Sequence, residues 1–118
     1  MPDTLLTTLK KATKGLLYPS EYDEPLEPFI WEHAKNTLTE VRRLSGQPSK
    51  HRCRTISADV FFSELTEVEG FSKLYETLKE TLTDLKVYRF GAANITVYVV
   101  GRDANGRLAG FKTRAVET

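Results

Sequence analysis

The chain has 118 residues, of which 40% are hydrophobic and 28% are charged, and its formal net charge is +1. These values are typical of a folded globular protein and exclude a disordered chain. No apolar run approaches the roughly 20 residues needed to span a bilayer, and a single cysteine excludes an internal disulfide and a cysteine-based zinc site.

The length and the amino terminus set the expected domain organisation and location. A chain of this length is expected to form a single domain over residues 1–118. Its first residues lack the basic region and hydrophobic core of a secretory signal peptide. Together with the lone cysteine, this predicts a cytoplasmic protein.

Charge is unevenly distributed along the chain. Residues 42–58 hold five basic residues and no acidic one, whereas residues 59–84 hold seven acidic residues and two basic ones. Such alternation is typical of solvated faces whose charges pair across the fold. The alternative is a nucleic-acid-binding domain, against which the near-zero net charge argues. Its candidate contacts are Arg42, Arg43, Lys50, Arg52 and Arg54.

The first two elements are a helix and an irregular acidic segment. Leu5, Leu9 and Leu16 recur near the helical period, and Pro19 prevents the helix from continuing. Residues 18–28 then contain three prolines and four acidic residues. They predict a stiff, exposed loop that either contacts a basic partner or only connects two elements.

A strand and a capped helix follow the acidic segment. Residues 29–34 predict a short strand with its two aromatic residues on one face. Thr37 and Glu40 fit a capping box, and Gly46 is expected to end the helix that the box opens. Residues 52–56 predict the next strand, with its cysteine pointing inward.

The second half of the chain changes from a helical to a strand period. Ser57 or Asp59 is expected to open a short helix through Leu65. Gly70 precedes the clearest helical pattern, which predicts a helix over residues 71–85. The strands predicted after it are 87–90, 95–100 and 108–116.

Two glycines in this region carry specific expectations. Asn105-Gly106 is a strong signal for a hairpin with a type I′ turn, and Gly110 inside a strand indicates a bulge or a close backbone approach. Three sequential antiparallel strands need helices to cover them. The pattern therefore predicts an α+β fold in layers.

Groups that could catalyse a reaction are sparse. His33 and His51 are the only histidines, and His51 lies two residues from Cys53. A cysteine–histidine pair also needs an activated thiolate and a third orienting group. The sequence has no glycine-rich phosphate loop, and the acidic residues near Glu21 lack the EF-hand spacing. The residues predict a small binding domain with no cofactor of its own, not an enzyme.

Three stretches resemble the nuclease A inhibitor family. The first lies within residues 15–32 (GLLY, SE and FIWE), the second is VFFS at 60–63, and the third lies within 87–118 (VYRFG, VYVVG, LAG and VET). The resemblance covers nearly the whole chain. It implies an α-β-α sandwich with a mixed or antiparallel sheet. It also implies inhibition of a magnesium-dependent, sugar-non-specific ββα-metal endonuclease that cuts DNA and RNA.

The resemblance further implies how the nuclease is bound. Thr118, as the C-terminal threonine, would enter the nuclease active site and engage the catalytic magnesium with its oxygens. Glu21 would imitate a phosphate to an arginine or lysine of the nuclease. The protein is expected to act as a monomer in a 1:1 complex, without direct nucleic-acid or membrane contact. The expected nuclease-binding residues are Ser20, Glu21, Asp23, Glu24, Glu67, Glu69, Glu117 and Thr118.

The chain departs from the family pattern after the second stretch. There the family has a longer loop with a glutamine and a tryptophan that touch the nuclease, whereas residues 64–70 contain neither. One hypothesis is a different target nuclease, with Glu67 and Glu69 as replacement contacts. The other is an interaction module on the same fold with a partner that is not a nuclease.

Overall fold

A computed structural model of the protein describes residues 4–19, 24–32, 37–46, 52–91 and 94–116. Its elements alternate between short helices and strands before ending in three long strands. In chain order they are α1 (Thr4–Thr13), β1 (Leu17–Tyr18), β2 (Glu24–Pro25), β3 (Glu27–Trp31), α2 (Leu38–Ser45), β4 (Cys53–Ser57), α3 (Ala58–Ser63), α4 (Phe71–Thr81), β5 (Thr83–Phe90), β6 (Asn94–Arg102) and β7 (Leu108–Val116).

Five strands form one antiparallel sheet in the order β3-β7-β6-β5-β4, and β1 pairs with β2 in a separate ribbon. The last three strands are a meander at the centre of the sheet. In the β6–β7 pair, Asn94 lies opposite Val116 and Arg102 lies opposite Leu108. We call the end of the strands at Asn94 and Val116 the terminal end of the sheet, and the end at Arg102 and Leu108 the hairpin end.

Helices cover both faces of this sheet. On one face, α1, α3 and α4 bury Leu9, Phe62 and Leu74 against strand residues that include Phe111. On the other face, α2 places Val41 in a second cluster with Tyr88 and Tyr98. The predicted α+β class and α-β-α sandwich are confirmed, and the sheet is antiparallel. No helix among the described residues has the length and hydropathy that a membrane span requires.

Local signals placed the short helices well. The Thr37 hydroxyl accepts a 3.4 Å hydrogen bond from the Glu40 backbone N–H, and Gly46 ends α2 in the left-handed conformation. The Glu40 carboxylate bonds Arg43 at 2.7 Å, so only the threonine half of the predicted capping box is seen. Ser57 caps α3 by accepting a bond from the Val60 N–H.

The predicted end of the long helix is wrong. α4 stops at Thr81, because Leu82 is already extended and Thr83 pairs with Arg102 in the sheet. Leu85 keeps the helical spacing but lies on β5, next to a register shift at Asp84, which has a φ of 54°. Pairing along β6 outweighs the local helical period.

The hairpin between β6 and β7 also differs from its predicted type. Asn105 does not have the positive φ that a type I′ turn requires, because Asp84 is the only non-glycine residue with positive φ in the described ranges. The Gly106 N–H instead bonds the Asp103 carbonyl, and Gly106 has a φ of 82°. This is a type I turn followed by a left-handed glycine, the usual three-residue hairpin.

The segment predicted as an irregular loop contains strand residues. The β1–β2 ribbon pairs Leu17 with Pro25, and β3 begins at Glu27, two residues before the predicted strand. Pro28 fits within β3 because this is an edge strand, where a missing backbone N–H is tolerated.

Candidate functional site

The acidic segment (residues 18–28) lies beside the last strand at Pro25, which we call the base of the segment. The Thr113 hydroxyl of β7 donates a 3.1 Å hydrogen bond to the Pro25 carbonyl. Thr113 is three residues before Val116, the last described residue, which lies at the terminal end of the sheet. Glu24, which directly precedes Pro25, therefore lies near the terminal end as well.

The 64–70 loop approaches the same end. Leu82 follows α4 at the hairpin end, since Thr83 pairs with Arg102. Gly70, at the start of α4, lies near the β1–β2 ribbon, because it contacts Leu16, which directly precedes the Leu17–Pro25 pair of that ribbon. A Cβ on Gly70 would overlap the Leu16 side chain, which packs against this glycine. The loop therefore borders the residues that lead into β1.

Three of the predicted nuclease-binding residues fall within the described ranges. Glu24 is half-buried in β2, and Glu67 and Glu69 are exposed on the 64–70 loop. The packing brings these two segments to the terminal end of the molecule. The other predicted residues, which are Ser20, Glu21, Asp23, Glu117 and Thr118, lie outside the described residues.

Glu27 belongs to the sheet, although the sequence grouped it with the acidic loop. Its carboxylate lies 3.6 Å from the Lys112 ammonium on the neighbouring strand β7. This ion pair is exposed, so it adds little stability. Across the described residues, no group of three or more histidine, cysteine, aspartate or glutamate side chains could hold a metal ion.

The basic residues of the nucleic-acid alternative do not form one stripe in the described structure. The Arg42 guanidinium lies 5.7 Å from the centre of the Phe90 ring on the α2 face, and Arg43 bonds Glu40. Arg54 follows Cys53 on β4, so its side chain is on the opposite face of the sheet. Lys50 lies outside the described residues.

Cys53 is placed as a packing residue. It contacts the α2-side cluster with Tyr88 and Phe90. Burial raises the pKa of its thiol, despite the nearby Arg42 guanidinium, which opposes the shift. A raised pKa disfavours the thiolate that nucleophilic catalysis requires. His51, its possible partner in the sequence, lies outside the described residues.

The sequence interpretation missed an exposed leucine next to the acidic segment. Leu17 is 48% exposed in β1, and it lines a cavity between the end of α1 and β2–β3. The one available signal was that Leu17 falls outside the helical period followed by Leu5, Leu9 and Leu16. An isolated apolar residue off the period does not by itself indicate exposure.

The chain matches one family model over nearly its whole length. The model, described as nuclease A inhibitor-like protein, matches residues 3–118. No curated protein matches the chain.

Proposed function

The chain belongs to the nuclease A inhibitor-like family, and from this premise we propose that it inhibits a magnesium-dependent, sugar-non-specific endonuclease by occupying the active site. In this proposal Thr118 binds at the catalytic magnesium and Glu21 contacts a basic residue of the cleft. Ser20, Asp23, Glu24, Glu67, Glu69 and Glu117 form the surrounding contacts.

One structural observation supports this proposal above the others. The hydrogen bond between Thr113 and Pro25 holds the base of the acidic segment beside the strand that leads to the carboxyl terminus. Residues far apart in sequence can therefore reach one partner surface together. A family resemblance alone does not require the acidic segment and the end of β7 to be neighbours.

The chemistry suits a nuclease cleft. Magnesium prefers oxygen ligands, and a threonine at the carboxyl terminus carries a hydroxyl and a carboxylate. A glutamate can form a charge-assisted hydrogen bond with a cation that holds substrate phosphate. The inhibitor itself needs no metal, because the only metal in this scheme belongs to the nuclease. It is proposed to act as a monomer, in a 1:1 complex, and not as an enzyme.

The first test is a titration of nuclease activity on DNA. The intact chain is added to magnesium-dependent, sugar-non-specific endonucleases, in parallel with a chain that lacks Thr118 and one extended by a single glycine after Thr118. We expect inhibition that saturates near one inhibitor per nuclease and is lost in both altered chains. Equal inhibition by all three would contradict the role of the terminus.

Charge-neutral variants test the acidic contacts. Glu21→Gln and Glu24→Gln are expected to weaken inhibition, because the amide cannot replace a carboxylate toward a basic residue. Glu80→Gln is the matched control, since Glu80 is exposed near the end of α4 that faces the hairpin end. Failure of the intact, folded chain to inhibit any of these nucleases would favour a non-nuclease partner instead.

A further inference from the structure

A cavity of about 350 Å³ lies between the last turn of α1 and the strands β2 and β3. We call it the α1 groove. Apolar side chains make most of its lining, and two lysines, one in the last turn of α1 and one directly after the helix, also line it. The residues that matter here are Leu16, Leu17, Pro25, Leu26, Lys10 and Lys14.

Leu17 is the most unusual of these residues. It is 48% exposed, although it pairs with Pro25 in the β1–β2 ribbon. Covering such a side chain removes apolar surface from water, which favours binding. The ribbon therefore holds an apolar anchor at the surface, in a fixed position beside the acidic segment.

The two lysines give the groove a charge preference. Lys10 lies in the last turn of α1 and Lys14 is the first residue after the helix, and both line the same groove, where like charges repel. Both are exposed. The described lining of the groove includes no acidic residue. A carboxylate supplied by a partner would relieve this repulsion.

We propose that the α1 groove binds a segment of the target nuclease in which an apolar side chain lies next to one or more carboxylates. The segment lies outside the basic catalytic cleft and gives the inhibitor a second, charge-selective contact. This inference rests on the proposed function. Its place follows from Pro25, which lines the groove and is also the residue that Thr113 bonds.

Two independent variants test the groove against the nuclease that the intact chain inhibits. Leu17→Thr removes the apolar anchor, and Lys10→Glu with Lys14→Glu reverses the charge. Each is expected to raise the inhibition constant about tenfold or more, because central apolar anchors and complementary charges dominate binding at small interfaces. The double arginine variant, Lys10→Arg with Lys14→Arg, is expected to inhibit like the intact chain.

Matched controls separate a local contact from a general effect. Leu38→Thr changes a leucine that is 38% exposed on α2, on the other face of the sheet. Lys11→Glu reverses an exposed charge on α1 that does not line the groove. Both controls are expected to leave the inhibition constant unchanged. Thermal unfolding of every variant checks the fold, and the lysine variants decide the question if Leu17→Thr is unstable.

The outcomes for the groove and for the proposed function are distinct. Unchanged inhibition by both Leu17→Thr and the double glutamate variant would overturn the proposal that the groove binds the nuclease. In that case, a loss of inhibition on removal of Thr118 would still support the proposed function. Equal weakening by the groove variants and their controls would also overturn the groove proposal. A folded, intact chain that inhibits none of the nucleases overturns both proposals.

Discussion

The hydroxyl of Thr113 donates a hydrogen bond of 3.1 Å to the carbonyl oxygen of Pro25, 88 residues earlier in the chain. Thr113 is almost fully buried whereas Pro25 is exposed, so this bond is partly shielded from water. It links the β1–β2 ribbon directly to the last strand of the sheet. The acidic segment therefore begins at β1 and continues through β2 in a ribbon that this bond attaches to the central sheet.

Thr113→Val is expected to lower the free energy of unfolding by about 1 kcal/mol, since it removes the hydrogen bond but keeps the shape of the side chain. It is also expected to weaken inhibition, because the ribbon loses its fixed position beside β7. Urea unfolding and the inhibition titration measure the two effects. Thr113→Ser keeps the hydroxyl and serves as the control. Equal stability and inhibition in the two variants would show that the bond contributes nothing.

Gly110 lies where the backbone of β7 passes close to the backbone of β6. A Cβ on this residue would clash with the carbonyl oxygen of Val99 on β6. Because backbone cannot move aside as a flexible side chain can, Gly110→Ala is expected to cost about 3 kcal/mol or more. Equilibrium unfolding in urea measures this loss.

Gly106→Ala is the matched control for Gly110→Ala. A Cβ on Gly106 would meet no atom within 4 Å, so only its φ of 82° disfavours alanine. That conformation costs about 1 kcal/mol in an alanine. If Gly110→Ala were no less stable than Gly106→Ala, the steric argument would be wrong.

The hairpin depends on the Asp103 carboxylate. It accepts bonds from the backbone N–H groups of Asn105 and Arg107 at 2.9 and 2.8 Å, and from the Arg107 Nε at 2.7 Å. Burial alone would raise the pKa of Asp103, but these bonds hold it below its ordinary value of 3.8. The folded state therefore favours the ionised carboxylate.

This shift predicts a pH-dependent stability. The Asp103 contribution is fully present well above its ordinary pKa of 3.8, and it is lost as the pH falls through the lower pKa of the folded state. Asp103→Ala is expected to lower the free energy of unfolding by about 2 kcal/mol at pH 7 and by less at pH 3. Asp103→Asn keeps an oxygen acceptor, so its loss at pH 7 is expected to be smaller. A constant difference between the wild type and Asp103→Ala at both pH values would contradict the assignment.

The sequence predicted best where the signal is local. A threonine or serine whose side chain caps the backbone N–H three residues later, as at Thr37 and Ser57, marks where a helix begins. The strands of the β5–β7 meander are also adjacent in the chain, so alternation and turn residues indicated their pairing. Helix α4 shows the limit, because its end at Thr81 depends on the pairing of Thr83 with a distant strand.

The candidate site was much less predictable from local patterns. Nothing near Pro25 indicates that Thr113 bonds it, and nothing near Gly70 indicates that Leu16 packs there. Such contacts depend on the packed sheet and its helices, not on the period of one segment. The family resemblance indicated which residues to expect in the site. The fold showed that the segments carrying Glu24 and Glu67 lie near each other.

A final prediction concerns the contact between α3 and α4, which holds the start of the 64–70 loop. The Tyr75 hydroxyl donates a hydrogen bond to the Asp59 carboxylate, and the Tyr75 ring stacks on Phe62 with 4.3 Å between centroids. Burial, together with Asp59, raises the pKa of Tyr75 to about 12 from the ordinary value of 10.

The neutral phenol is therefore favoured in the folded state, so the contribution of Tyr75 is present below pH 10 and is lost as the pH rises toward 12. Tyr75→Phe keeps the ring stacking and is expected to cost about 1 kcal/mol at pH 8, because it removes the hydrogen bond between partly exposed groups. Urea unfolding at pH 8 and near pH 11 measures the change. The difference between the wild type and Tyr75→Phe is expected to shrink at the higher pH. A difference that does not shrink would contradict the raised pKa of Tyr75, and no difference at pH 8 would mean that the hydrogen bond to Asp59 contributes nothing.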